Sequence, residues 1–447
     1  MKEKSSILKQ YCNYTFFGIL GMIGLSAYII ADTFFVSKGL GTNGLTALNL
    51  AIPVYNFVHG IGLLLAIGGA AKYSIYKGQK DNKNADVVFT NTIYITTILS
   101  FLFVIIGILF SQKLCLFLGA DETVFDMTNT YIKILLLFSP AFLCNDVLIC
   151  FVRNDGNPQL SMIAMLTGSL FNIIMDYILI FPFQMGILGA VLATGFSPIV
   201  SILLLSFHYT SKIKGFHIVK TKPLLDRILW IFLMGFPSFV AQISYGIVMI
   251  ILNKIILSLQ GNVGVAAYSV IANLSLVMTA VFSGLEQGIQ PLFSQYYACN
   301  EHYNIIKVLK YAFITVILSS IAIYSTIFIF SENIVQLFNS QNNLQMQHIA
   351  VYGMKLYFTA TLFAGINIVF CIFFTSIEKV VLAHILSLLK GLILIIPMAF
   401  LLSTLWGITG VWLCYAVTEC IVTIIAIMFY FHIKKYKKQA QTNVESG

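Results

Sequence analysis

Polar positions in this chain do not alternate with apolar ones; they punctuate long apolar runs. Runs near the roughly 20 residues a helix needs to cross a bilayer fall at 14–37, 46–71, 88–110, 131–152, 160–181, 187–209, 230–258, 265–290, 309–330, 350–374, 381–402 and 409–432. They predict twelve transmembrane helices. A closed β-barrel, the other structure that satisfies every backbone group in lipid, would show alternating segments of about ten residues, and these runs are continuous. The expected fold is an all-α integral membrane protein.

The pattern is also written twice. Gly41-Thr-Asn-Gly44-Leu-Thr-Ala47 returns 220 residues later as Gly261-Asn-Val-Gly264-Val-Ala-Ala267, and Gly68 meets Gly288 at the same offset. Gly186-Ile-Leu-Gly189-Ala190 meets Gly407-Ile-Thr-Gly410-Val411 at an offset of 221, as Cys150 meets Cys371. Two pseudo-symmetric six-helix bundles follow, 1–215 and 216–447, with the basic segment Ser211–Asp226 as linker. Repeats of this kind in a membrane protein point to a transporter whose site lies between or within the halves.

Composition strengthens the membrane reading. Mean hydropathy is +0.90 and charged residues are 10%, against about 25% in a soluble domain. No long polar stretch offers a soluble catalytic domain, and no Gly-x4-Gly-Lys-Ser/Thr motif offers ATP hydrolysis, so the chain reads as a carrier and not an enzyme, with no cofactor. The start, Met1-Lys-Glu-Lys, does not resemble a cleavable signal. The eight cysteines form no Cys-x-x-Cys pair and read as small core hydrophobes. His59 and His384 stand alone within spans and read as packed core residues or helix–helix contacts.

The net charge of +9 is ordered by side. Lys2, Lys4, Lys9, Lys72, Lys77, Lys80, Lys83, Arg153, Lys212, Lys214, Lys220, Lys222, Arg227, Lys307, Lys310, Lys379, Lys434, Lys435, Lys437 and Lys438 fall on one side of the expected topology. The other side has only Lys38, Lys113, Lys133, Lys254 and Lys355. This is the positive-inside pattern. It places both termini in the cytoplasm, makes the cell membrane the expected location, and accounts for the charge without nucleic acid. The expected partners are the lipid bilayer and a small molecule, with the chain acting as a monomer.

Charge inside a membrane costs about 2.5–3.5 kcal/mol on insertion scales, so intramembrane acids are functional candidates. The spans contain Asp32, Asp146, Asp176, Glu286 and Glu419, against a single deep base, Lys390. Acids without matching bases call for a counter-charge from outside: a proton, a metal cation or a cationic substrate. Asn172 and Asp176 are four apart and share a helix face. An amide oxygen and a carboxylate suit Na⁺, and they equally suit a proton-binding carboxylate. At 1.5 Å per residue, Asp176 and Asp32 lie about 24 and about 27 Å from the inner ends of their spans. Thr194, about ten residues into the sixth span by the same reckoning, reaches the same layer. Asp146 lies nearer the cytoplasm and reads as a relay or inner-gate group, or as half of a structural hydrogen bond or an inner salt bridge. Glu286 divides between substrate contact and structure, and Glu419 between a substrate role and pairing with Lys390. The repeat is asymmetric here. Asp32 maps to Leu252, Asn172 to Ile393, Asp176 to Pro397, Thr194 to Tyr415 and Asp146 to Asn367, which puts a coupling-ion site inside the first half. Pro53, Pro140, Pro198, Pro237 and Pro397 fall inside spans as expected kinks, while Gly18, Gly21 and Gly24 would let the first span bend.

Several strings together carry a family likeness: Ala31-Asp32-Thr-Phe-Phe-Val36-Ser37, Gly44-Leu-Thr-Ala-Leu-Asn49-Leu-Ala-Ile-Pro53, Arg153-Asn154-Asp155-Gly156-Asn157-Pro158, and Asn172-x3-Asp176 before Gly186-x-x-Gly189-Ala190 and Thr194. Over essentially its whole length the chain resembles the multidrug and toxic compound extrusion (MATE) family. The resemblance implies two six-helix bundles arranged as a V and antiport of amphipathic, often cationic compounds against Na⁺ or H⁺. It implies a first-lobe cation site at Asp32, Asn172, Asp176 and Thr194. Acids that some members carry on the seventh and tenth helices are missing from 230–258 and 350–374, as is the proline at which some members bend the first helix. The expected function is a cation-coupled multidrug exporter working by alternating access. The alternative is a flippase or exporter of a lipid-linked or other metabolite from the same superfamily, which would tend to a more basic cavity. An uncoupled channel and a major-facilitator carrier are further rivals; the basic Gly-Asp-Arg signature of the latter does not stand at Lys77-Gly-Gln-Lys-Asp81.

Overall fold

The longest helices exceed what a bilayer can hold. Ile7–Gly78 runs for 72 residues, about 108 Å at 1.5 Å per residue, against a hydrocarbon core of roughly 30 Å. It is two helices. Gly41 breaks it with φ 66°, ψ −153°, a region open essentially to glycine alone. Tyr28 and Tyr55, one on each limb, bring their hydroxyls to 2.8 Å, so the limbs run side by side. Leu225–Ala298 breaks the same way at Gly261 (φ 62°, ψ −158°) and Ile395–Glu445 at Gly407 (φ 57°, ψ −136°). Gly186, with φ 60°, opens the helix after the Ile180 end of its predecessor. The sequence repeat thus matched Gly41 to Gly261 and Gly186 to Gly407, glycines that all take a positive φ where one helix gives way to the next.

A computed structural model describes residues 6–211, 214–339 and 343–445, with side chains described through Ile433. Among the described residues, nine apolar spans, three of them broken in two at a glycine, make twelve. We number them α1 (7–40), α2 (42–78), α3 (Asn82–Phe117), α4 (Phe125–Leu137 and Ser139–Asn154), α5 (Pro158–Ile180), α6 (Gly186–Leu205), α7 (225–260), α8 (262–298), α9 (His302–Phe338), α10 (Leu344–Ser376), α11 (380–406) and α12 (408–445). The architecture is all-α, a membrane protein of two six-helix halves. The two limbs of α4 meet at 49°, with Pro140 in the first turn of the second limb. Its ring cannot donate the hydrogen bond that would carry the first limb onward. In α11, Leu389–Ile393 winds as a π-helix. α1 is helical through Gly18, Gly21 and Gly24. These glycines are close-approach sites: a Cβ on Gly24 would come 2.4 Å from the Leu166 side chain, and one on Gly18 would come 2.3 Å from the Gly284 carbonyl oxygen.

The chain divides into two compact units. The first comprises Met1–Gly246, Thr279–Tyr311 and Ser376–Glu378; the second comprises Ile247–Met278, Ala312–Thr375 and Lys379–Gly447. Within the first unit, backbones touch at glycines: Cβ atoms on Gly68 and Gly235 would lie 2.0 Å from the Ile231 carbonyl and 1.8 Å from the Leu64 carbonyl. Small residues permit such approach where apolar burial gives helices no driving force to associate. The described part of the linker is not a loose basic loop. Phe216 is fully buried among Tyr73, Phe89 and Phe151. The backbone N–H groups of Gly215, His217, Val219 and Leu224 donate to Asp155, Asp86, Thr90 and Asn91. A strap without helical bonds satisfies its amides this way. Lys72, expected in a loop, is buried in α2 and pairs with Glu378 while lying 4.8 Å from the Trp230 ring. Lys2, Lys4, Lys212, Lys434, Lys435, Lys437 and Lys438 lie outside the described side chains.

Candidate cation site

The site is built at the end of the first six helices nearest two of the glycine turns. Asp32 precedes Gly41 by nine residues, Asp176 precedes Gly186 by ten, and Thr194 follows it by eight. Two hydroxyl bonds clamp α5 to α6: Ser197 donates to the Gly168 carbonyl and Ser201 to the Ala164 carbonyl, both at 2.8 Å. A Cβ on Gly168 would come 2.2 Å from the Ser201 hydroxyl, so the small residue is what lets that clamp close. Gly21 and Gly24 seat α1 on Met165 and Leu166 of α5.

This packing gathers Asp32, Asn172, Asp176 and Thr194 into one layer, all buried. Oriented to satisfy both of its partners, the Asn172 amide donates to Asp176 Oδ2 at 3.1 Å and accepts from the Thr194 N–H at 3.2 Å. The carboxyls of Asp32 and Asp176 lie within hydrogen-bonding reach of each other. Asp32 Oδ1 and Asp176 Oδ1 are buried without any protein partner. An orphaned buried acceptor costs about 1–3 kcal/mol, and two adjacent carboxylates in a low-dielectric site repel. The donor set therefore favours a positive charge, a proton shared between the acids or a small cation with oxygen ligands.

Tyr131 was not among the candidates. From the first limb of α4 it lies near Thr194 and within electrostatic reach of Asp32 and Asp176. Only the packing of α4 reveals it, since a tyrosine in an apolar run carries no sequence signal. Tyr28 closes the same layer from α1, within electrostatic reach of Asp32.

The other acids lie apart from this layer. Asp146 on α4 accepts from His59 on α2 at 2.8 Å, so His59 makes a polar helix–helix contact, one of the two roles expected of it. Glu286 on α8 is half-buried in the first unit and has polar partners. In the second unit, Asn367 donates to Glu419 at 2.6 Å and Thr423 donates to Asn367 at 3.1 Å. Lys390 lies within electrostatic reach of Glu419, but among the described residues the two make no direct ion pair. Leu252, at the repeat position of Asp32, is buried core, and Tyr415, at that of Thr194, stacks on Tyr357 at 5.0 Å. The second copy has filled the site with apolar and aromatic side chains.

Arg153-Asn154-Asp155-Gly156-Asn157-Pro158 forms the α4–α5 turn. Gly156 takes φ 95°, Asn157 caps α5 by accepting from the Leu160 N–H, and Pro158 occupies its first turn. Asp155 accepts from Tyr73, His208 and the Gly215 N–H, and Asn154 donates to Gln290 of α8 at 2.8 Å.

Fold and site together define a multi-pass membrane transporter. The MatE family model matches residues 18–178 and again 237–401, and the chain belongs to that family. The double match is the internal repeat seen from outside. Its relatives include the multidrug export protein MepA of Staphylococcus saprophyticus, 26% identical over 97% of this chain and 95% of that protein, and MepA of Staphylococcus aureus, at the same identity and coverage. Among solved structures, an outward-facing multidrug resistance MATE transporter of the MOP superfamily superimposes with a TM-score of 0.91 at 21% identity, covering 97% of this chain and 98% of that one. A MOP superfamily transporter from Pyrococcus furiosus, described as having a binding pocket of reversed polarity, gives 0.90 at 21% identity, with 97% of each chain covered.

Proposed function

We propose that this protein exports amphipathic, often cationic compounds across the cell membrane in exchange for Na⁺ or H⁺, by alternating access. The observation that carries the reading is the pair of buried carboxyls, Asp32 and Asp176, each with an oxygen that has no protein partner. A cation entering there neutralises the pair and binds one conformation better than the other, which is what coupling requires. Asn172 and Thr194 orient Asp176 and complete the oxygen set. Kinship to proteins named as multidrug exporters supports the substrate class. Each sequence half, 1–215 and 216–447, serves as one lobe of a monomer, with both termini in the cytoplasm. Asp146, Glu286 and Glu419 are acidic groups open to a substrate or relay role. The flippase alternative is less favoured, because the spans hold five acids and one deep base.

Ethidium efflux from proteoliposomes with pH and Na⁺ gradients imposed separately tests the reading. One gradient should drive efflux in the native protein, and Asp176→Asn should abolish the driven component while the protein remains monodisperse. Gradient-driven efflux at the native rate in Asp176→Asn would refute the assignment.

A further inference from the structure

The mechanism above makes no use of the buried pair His59–Asp146. His59 Nδ1 stands 2.8 Å from Asp146 Oδ2, with side chains 13% and 10% exposed. The pair is held on both sides. The Tyr55 ring stacks on the imidazole at 5.8 Å and 14° and meets Phe142 edge-on at 5.9 Å. A Cβ on Gly62 would fall 2.3 Å from Asp146 Oδ2, so only glycine at that position leaves the carboxylate room. The Tyr55 hydroxyl is 2.8 Å from that of Tyr28, and Tyr55 feels the charges of both Asp146 and Asp32.

From these contacts, we propose that His59 and Asp146 form a second proton-binding site, coupled electrostatically to Asp32 and Asp176 across the Tyr28–Tyr55 bridge. The proposal rests on the reading of Asp32 and Asp176 as the coupling site. Without the extra proton, His59 Nδ1–H donates to Asp146 and the pair carries one negative charge. The incoming proton adds to Nε2, giving an imidazolium–carboxylate pair of zero net charge, and leaves by the same atom. The titratable groups around the pair are Tyr55 on α2 itself, bonded to Tyr28 and within electrostatic reach of Asp32 on α1, and Cys150 on α4, within electrostatic reach of Asp146, of Arg153 and of Glu286 on α8. Of the ions in this shell, Asp32 and Glu286 are acids and Arg153 is a base, so loss of a negative charge at Asp32 weakens proton binding at the pair. Two sites of this kind let the transporter carry a second proton per cycle, or report cytoplasmic pH to the first site.

Histidine-labelled protein in nanodiscs, read by NMR from pH 5 to 9, tests the proposal. One ring signal, identified by its loss in His59→Gln, should titrate, and its midpoint should move to lower pH in Asp32→Asn. In proteoliposomes, the dependence of ethidium efflux on pH should become less steep in both His59→Gln and Asp146→Asn, the signature of one proton fewer. The glutamine keeps an amide donor for Asp146, so a merely structural pair would leave that steepness unchanged. A His59 signal that ignores Asp32→Asn, or native steepness in both variants, overturns the second site. Undiminished driven efflux in Asp32→Asn would instead refute the coupling site, whatever His59 does.

Discussion

Asp155 ties three segments of the first unit together. Its side chain is 3% exposed and accepts from three donors on three segments: Tyr73 at 2.5 Å, His208 Nε2 at 2.8 Å and the Gly215 N–H at 2.6 Å. A carboxylate can do this because it is acceptor-only. Asp155→Asn turns one acceptor into an NH₂ that faces a donor, stranding a buried group at a cost of about 1–3 kcal/mol. The expected result is a lower midpoint of thermal unfolding in detergent. Release of the 214–224 strap should accompany it, read as faster hydrogen exchange at Gly215. An unchanged midpoint and unchanged exchange would show that the turn holds without it. The string containing Asp155 was legible in the sequence as a family mark, yet its work was not. Tyr73 and His208 lie 82 and 53 residues away, and nothing in their local patterns announces a partner.

At the scale of elements, the glycine turns decide where one helix becomes two. A Cβ added at Gly41, Gly261 or Gly407 would meet nothing within 4 Å, so replacement by alanine tests backbone strain without a clash. A non-glycine residue held at such angles costs of order 1–3 kcal/mol. Gly41→Ala and Gly261→Ala should each lower stability by about that amount, seen in thermal or denaturant unfolding. Equal stability to the native protein would mean the turns relax to ordinary angles. The repeat extends past the turn: Cβ atoms on Gly44 and Gly264 would come 2.3 and 2.4 Å from the Cβ of Leu40 and Gln260, four residues back in each copy. Hydropathy placed the spans but misjudged their ends, because helices continue past the lipid; α2 reaches Gly78 and α3 begins at Asn82. The break in α4 was legible as Pro140, one of the expected kinks, whereas the π-turn in α11 leaves the apolar run unchanged.

At the scale of the whole molecule, segments from both sequence halves share the first unit. Gly284 and Gly288 of α8 lie against Gly18 and Thr15 of α1, with a Cβ on Gly288 only 2.7 Å from the Thr15 Cα. Tyr296 donates to Gln10 at 2.8 Å near the same end. Alternating access, as proposed, requires this contact to part once per cycle. Thr15→Cys with Gly288→Cys, in a background where the exposed Cys12 and Cys299 are serine, should crosslink on oxidation. The crosslink should stop ethidium efflux, and reduction should restore it. Full efflux with the bond intact would show that the contact is permanent structure.

The sequence by itself determined the membrane class, the twelve spans, the duplication and the acids worth examining. Each of these follows from a local or periodic signal: apolar length, a repeated glycine string, or a charge where charge is costly. Only the tertiary structure decided which acids meet. Asp32 and Asp176 come together while Asp146 turns to His59, a choice made by how closely α1, α2, α4 and α5 approach at their small residues, and Glu419 of α12 turns to Asn367 of α10. Partners of that kind are separated by many turns of helix, and no pattern along one chain encodes the distance between two of its faces.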